Sequence, residues 1–305
     1  MIQLRSIVVA VDFSPWSAAA LGQAIRIAAW NQSTVHPVHF VDVIVAESPA
    51  EEMARFQRYA HTDPKAEAQA IWESFRSGID GAAALPLEVE IDYPIHGVVR
   101  SVRRHAADLL VIGSHGAGQS AGGLGAFALA CVRKVPADVL LVRAPHTDRY
   151  RHVLACVDFS DTSRLAMEHA TLFARQDSAE LTALHVFQGP WHILHYRAPT
   201  PQAAPHFRQQ YADVLRRRLE AFVAGFQSDA SPIVLRHQLV DHPHYGSAIA
   251  AFANRQAVDL VVLGTRGRTN LRDLLLGSTA ERVLRDTQCS ILAVKPRGFE
   301  SPIRD

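Results

Sequence analysis

The sequence predicts an α/β protein of two tandem domains, each a five-stranded parallel sheet covered by helices. Three observations predict it. The chain carries one pattern twice, in copies of about 150 residues. Each copy alternates short apolar runs with helical periodicity. The 305 residues, 48% hydrophobic and 20% charged, supply apolar material for two cores and exclude a disordered chain.

The duplication is visible in four places. Val8-Val9-Ala10-Val11-Asp12-Phe13-Ser14 returns as Leu154-Ala155-Cys156-Val157-Asp158-Phe159-Ser160. Val38-His39-Phe40 returns as Leu184-His185-Val186. The stretch from Asp108 to Gly116 returns from Asp259 to Gly267, and Val139 to Arg143 returns from Ile291 to Lys295. Order is kept throughout, which points to two domains rather than a solenoid. Residues 1–146 and 147–305 are the expected domains, divided in the polar stretch from Ala144 to Arg149 with its single proline.

In the first copy, the runs Arg5–Val11, Thr34–Val41, Leu87–Ile91, Leu109–Ile112 and Val139–Val142 read as strands. Val, Ile and Leu crowd both faces of most of them, as in a sheet covered on both sides. Between the first two, Leu21, Ala24, Ile25 and Ala28 keep the spacing of a buried helix face. The second copy offers Arg151–Val157, Leu181–Phe187, Ile233–Leu239, Leu260–Leu263 and Ser290–Val294. Long helices are expected over Glu51–Ile79 and Ala203–Phe226; in the latter, Tyr211, Leu215, Leu219 and Phe222 share a face and Arg216-Arg217-Arg218 point mostly outward. Strand–helix alternation implies right-handed parallel crossovers, with a ligand crevice at the carboxyl ends of the strands.

Composition excludes several function classes. A net charge of +1 gives no field for nucleic acid. Cys131, Cys156 and Cys289 are odd in number and far apart, which argues against a disulfide framework or a thiolate zinc site. The N-terminal apolar run is too short for a signal peptide, and no run approaches the roughly 20 residues of a membrane helix. The expected setting is the cytoplasm, without membrane partners.

Leu263 closes an apolar strand; Gly264-x2-Gly267 follows, then nine residues, then Gly277-Ser278. Glycines after a strand let backbone amides approach a phosphate, and a helix beginning at Gly277-Ser278 would offer unpaired N–H groups to an anion. The pattern is neither a P-loop nor a dinucleotide fingerprint. A second reading stays open: turn glycines, with Ser278-x-x-Glu281 as a capping box that serves only the helix.

The Gly264-x2-Gly267-x9-Gly277-Ser278 pattern resembles the nucleotide signature of the universal stress protein family. So do Val157-Asp158-Phe159-Ser160 and Leu184-His185-Val186, and the likeness runs through nearly the whole chain twice. The resemblance implies two Rossmann-like, adenine nucleotide alpha hydrolase-like domains that form an internal pseudo-dimer, with homodimerisation open. It implies ATP with magnesium as ligand. Gly264, Arg266 and Gly267 would line the ribose and first phosphates, and Gly277, Ser278 and Thr279 the outer phosphates. Asp158 would sit near the ribose or a magnesium ion; its plain alternative is a turn or capping aspartate. Val186 would pack beside adenine, with Leu263 flanking it.

The first copy departs from this pattern. It reads Gly113-x2-Gly116, eight residues, then Gly125-Ala126-Phe127, so the hydroxyl at the Ser278 position is lost and the loop is one residue shorter. Small residues fill Ala117 to Leu124, which suggests a mobile loop. One nucleotide per chain, in the second domain, is therefore expected. The expected role is stress response by binding rather than turnover. The alternatives are a slow ATP hydrolase using Asp158 and magnesium, or a carrier or scaffold whose first domain holds another small ligand or a metal.

Sixteen histidines raise the question of metal. His192-x-x-His195, with His206 nearby, and the group His237, His242 and His244 are candidate ligands; the plainer alternative is solvated loop side chains. No carboxylate or cysteine accompanies the first pair at ligand spacing. His39 and His185 end matching strands and are expected to be structural or pocket-lining. His115 would be a base with no partner beyond Ser114, and Cys156 a buried thiol.

Overall fold

The computed structural model describes residues 3–43, 63–116, 124–143, 147–192, 205–227, 233–267 and 276–304. The chain divides into two compact units: Gln3–Asp148 with Gly298–Asp305, and Arg149–Arg297. The tail after Arg297 thus packs with the first unit, where the Arg103 guanidinium donates to the Ile303 carbonyl at 2.6 Å.

The first unit contains β1 (Ser6–Ala10), α1 (Pro15–Asn31), β2 (Thr34–Asp42), α2 (Pro64–Ser77), β3 (Glu88–Asp92), α3 (Pro94–Arg104), β4 (Leu109–Gly113), α4 (Ala126–Lys134) and β5 (Asp138–Val142). The second contains β6 (His152–Cys156), α5 (Asp161–Asp177), β7 (Glu180–Phe187), a 3-10 turn at Pro190–His192, α6 (Pro205–Ala224), β8 (Leu235–Asp241), α7 (Tyr245–Arg255), β9 (Leu260–Gly264), α8 (Ser278–Asp286) and β10 (Ser290–Val294). All ten strands expected from the sequence form, within one or two residues at each end.

Strand order is β3-β2-β1-β4-β5 in the first unit and β8-β7-β6-β9-β10 in the second. Neighbours pair in parallel, so each connection is a crossover and each chain reversal leaves the sheet through a helix. Strands β4, β9 and β10 are buried along both faces, which their unbroken apolar sequences require. The outer strands β3 and β8 carry Glu88, Glu90, Asp92, Arg236 and His237; charge on an outer strand opposes pairing with another chain.

Helix α1 shows how local sequence sets the elements. Ser14 caps it, its Oγ accepting the Ser17 amide at 3.2 Å, and Pro15 occupies the first turn, where no N–H is needed. Gln32 ends it in the left-handed region at φ 58°. Leu21, Ala24, Ile27 and Ala28 are buried against the sheet; Ile25, expected on that face, is only half-buried, because Ile27 takes the inward place. The expected helix over Glu51–Ile79 is seen from Pro64; residues 44–62 lie outside the described residues, as does 117–123 of the small-residue loop. No helix of the described residues is long and apolar enough to cross a membrane.

Candidate functional site

Each first strand runs into the same turn. Asp158 Oδ1 accepts the Ser160 amide at 3.0 Å and the Ser160 hydroxyl at 2.5 Å, and Ser160 Oγ then caps α5 by accepting the Ser163 amide at 3.1 Å. Asp12, Ser14 and Ser17 repeat this in the first unit. The turn forces Phe159 and Phe13 to φ 64° and 62°, a left-handed conformation that costs a non-glycine residue about 1–2 kcal/mol. Packing offsets that cost. Phe159 packs tilted against His185 at 4.5 Å and meets Phe222 edge-on, and His185 Nδ1 bonds the Val157 carbonyl at 2.7 Å. Asp158 is thus a turn aspartate through one oxygen. Its other oxygen, Oδ2, faces Gly267.

That contact explains Gly267: a Cβ there would lie 2.7 Å from Asp158 Oδ2. Gly264, at the end of β9, is explained by packing too, since a Cβ would lie 2.7 Å from Thr162 Cγ2. Gly277 differs. A Cβ would meet only the Thr265 carbonyl oxygen, at an ordinary 3.5 Å, so the fold does not require glycine there.

The capping box does not form. Gly277 is the N-cap of α8, with φ −71° and ψ 147°, and its carbonyl accepts the Glu281 amide at 2.9 Å. Ser278 is the first helical residue, no side chain among the described residues caps this end, and Glu281 pairs with Arg285 at 3.3 Å instead. Register is the reason: the box needs serine one residue earlier. The early amides of α8 have no partner within the helix.

Asp158, Val186, Leu263, Gly264, Arg266, Gly267, Gly277, Ser278 and Thr279 line one cavity of about 620 Å³ at the carboxyl ends of β6, β7 and β9. This size is that of a small-molecule site. His185 and Cys156 also line it, and burial pushes the Cys156 thiol strongly up, away from a reactive thiolate. The sequence reading missed Phe187, Gln188, Tyr245 and Ile249 as lining residues, and placed Tyr211 and Leu215 on a helix face without assigning them to a site. Helix α6 brings that face over the crevice, with Leu219 fully buried beneath it. Arg218 is exposed, as expected, yet its guanidinium lies 4.2 Å from the Phe159 ring centroid.

The first unit fills the matching place differently. His115 stands where Arg266 does; it is buried, its Nδ1 lies 2.9 Å from Ser114 Oγ, and its ring packs on Trp16 at 5.4 Å. Trp16 occupies the position of Thr162, and Ala126 and Phe127 those of Ser278 and Thr279. His39, like His185, bonds the carbonyl after its neighbouring strand, Val11, at 2.8 Å.

The candidate metal segments do not converge among the described residues. His192 Nε2 lies 2.9 Å from Asp241, which also accepts from Trp191 Nε1 and the Gly189 amide. A carboxylate therefore does accompany His192, supplied by β8 rather than by sequence spacing. His237 faces Glu220 at 3.4 Å, and His242 bonds the backbone of His244. His195 lies outside the described residues.

The model of the universal stress protein family matches residues 3–143 and again 149–295. Universal stress protein Rv1996 of Mycobacterium tuberculosis is 28% identical over 308 residues, covering 95% of this chain and 94% of its own. Universal stress protein MJ0577 of Methanocaldococcus jannaschii is 24% identical over 48% of this chain and 95% of its own. Among solved structures, a Pseudomonas aeruginosa universal stress protein described as putative aligns with TM-score 0.65 at 18% identity, over 96% of this chain and 94% of that one. One from Archaeoglobus fulgidus aligns with TM-score 0.61 at 17% identity, over 96% and 99%. At these identities the structures speak to the fold alone.

Proposed function

We propose a function for this chain from the fact that it belongs to the universal stress protein family: its second domain binds ATP with magnesium, and the protein acts in stress response in the cytoplasm by binding rather than turnover. One observation carries the reading. The cavity at the carboxyl ends of β6, β7 and β9 joins the start of α8 to the Gly264–Gly267 turn. The first amides of α8, which have no partner within the helix, and its positive end suit the outer phosphates, and Arg266 adds a cation to the same wall. Val186, Leu263, Ile249 and Tyr211 give an apolar side suited to a base.

Asp158 fits magnesium by its chemistry. Mg²⁺ is commonly held by one or two carboxylates together with phosphates and waters. Asp158 is a hard oxygen donor at the cavity wall, and its orientation is fixed by the Ser160 turn. Magnesium there would neutralise phosphate charge; the chain's own contribution is to orient and bind.

Titration calorimetry of the full chain with ATP and magnesium tests the reading. One site per chain is expected, and the Gly277→Val/Ser278→Ala variant should bind at least tenfold more weakly. Phosphate release no faster than with that variant would support binding without turnover. Equal affinity in the two proteins, or no heat with either, would overturn the assignment.

A further inference from the structure

The amino ends of the strands in the first unit hold a cluster unrelated to the crevice. His36 lies on β2, Glu88 opens β3, and His105 ends α3. Their nearest ligand atoms all fall within 4.8 Å of one another. All three side chains are partly exposed.

The fold fixes this meeting. Phe40 packs against Gly97 of α3, and strand alternation puts His36 on the same face of β2. Val38 pairs with Glu88 across to β3, so Glu88 is a diagonal neighbour of His36. His105 is anchored by its backbone: its amide donates to the Ser101 carbonyl and its carbonyl accepts the Ser6 hydroxyl at 2.9 Å. The two imidazoles lie 3.9 Å apart, nearly parallel. His105 Nε2 is 2.8 Å from Glu88 Oε1, yet this buried nitrogen has no aligned hydrogen bond. Arg104 engages the other oxygen, Oε2, at 3.2 Å, leaving Oε1 turned to the histidines.

The second repeat is an internal control. Register puts Thr182 at the position of His36, Gln238 at that of Glu88 and Gln256 at that of His105. There His152 bonds Thr182 Oγ1 at 2.9 Å and the Gln256 carbonyl at 3.2 Å. The fold therefore does not need two imidazoles and a carboxylate at this place.

We propose that His36, Glu88 and His105 bind a divalent transition metal of the zinc class, with the fourth position left to water. Two imidazoles and one carboxylate are an established donor set for zinc. Ligand atoms around a tetrahedral zinc lie about 3.4 Å apart, so the set closes by up to about 1.4 Å, with one imidazole turning out of the stack so that both nitrogen lone pairs converge. Burial and the neighbouring His105 push the His36 pKa below its ordinary value, against Glu88, which acts the other way. The metal ties β2, β3 and the end of α3 together, far along the strands from the ends at which the ligand crevice of such a sheet lies.

The test titrates untagged, chelator-dialysed full chain with Zn²⁺ alone, then with Co²⁺ as a visible probe. The comparison protein carries the second repeat's own residues: His36→Thr, Glu88→Gln and His105→Gln. Wild type should bind one more equivalent than this variant and shift the ring resonances of His36 and His105 at one equivalent. The single His105→Gln variant should weaken that site at least tenfold. If the triple variant does not fold, the single variants His105→Gln and Glu88→Gln decide by the same count. Equal stoichiometry and affinity in wild type and variants, or no uptake by wild type, overturns the proposal.

Discussion

Single residues separate structural glycines from functional ones. Gly264 faces Thr162, and an added Cβ must displace it. Gly264→Ala should therefore cost about 1–3 kcal/mol in urea unfolding, as overpacking does. Gly277→Ala should cost less than about 1 kcal/mol, the scale of an N-cap change, because its Cβ meets only ordinary contacts. His39 gives a pH prediction. Burial lowers its pKa from 6.5, outweighing the Val11 carbonyl bond and Asp12, which act the other way. The unfolded chain then takes up the proton first, so stability is full above about pH 6.5 and falls as pH drops through the folded value. Melting temperatures between pH 7 and 5 should show that slope, and His39→Gln should flatten it. The glycines were legible as a motif, but which of them serves packing was not, because Thr162 and Asp158 reach them only through the fold.

At the scale of elements, the serine caps divide the same way. Ser160 accepts the Ser163 amide and caps α5, so Ser160→Ala should cost about 1 kcal/mol. Ser278 sits inside α8, one residue past the cap, so Ser278→Ala should change stability by less than about 0.5 kcal/mol. Chemical unfolding of the two variants side by side checks both; an equal loss would restore the capping box. The strands were readable because both faces of the central ones are apolar, and periodicity records burial directly. The failure of the capping box was not readable, since Ser-x-x-Glu matches its template and only the backbone of Gly277 shows the register. The same holds for α6: its apolar face was evident, whereas its placing of Tyr211 and Leu215 in the cavity depends on the docking of the helix.

At the scale of the molecule, the tail is the informative part. Gly298–Asp305 packs with the first unit, Ile303 is nearly buried, and Arg103 of α3 holds its carbonyl. Removing residues 298–305 should lower the stability of the first unit by about 2 kcal/mol, the scale of one buried Ile. Hydrogen exchange should then quicken in α3 and stay unchanged in α5 and α7. Equal loosening of both units would contradict the division of contacts.

The duplication and the strand–helix alternation are written in local order and period, so they could be read from the chain alone; the nine candidate residues came with the family resemblance that the glycine and aspartate motifs carry. Tertiary structure decided what those residues touch. It gave Asp158 one oxygen in a turn and the other against Gly267, supplied Asp241 to His192, and brought His36, Glu88 and His105 together from three elements. Such meetings depend on strand register and helix docking, which pair residues far apart in the chain, and no spacing along a single sequence encodes them.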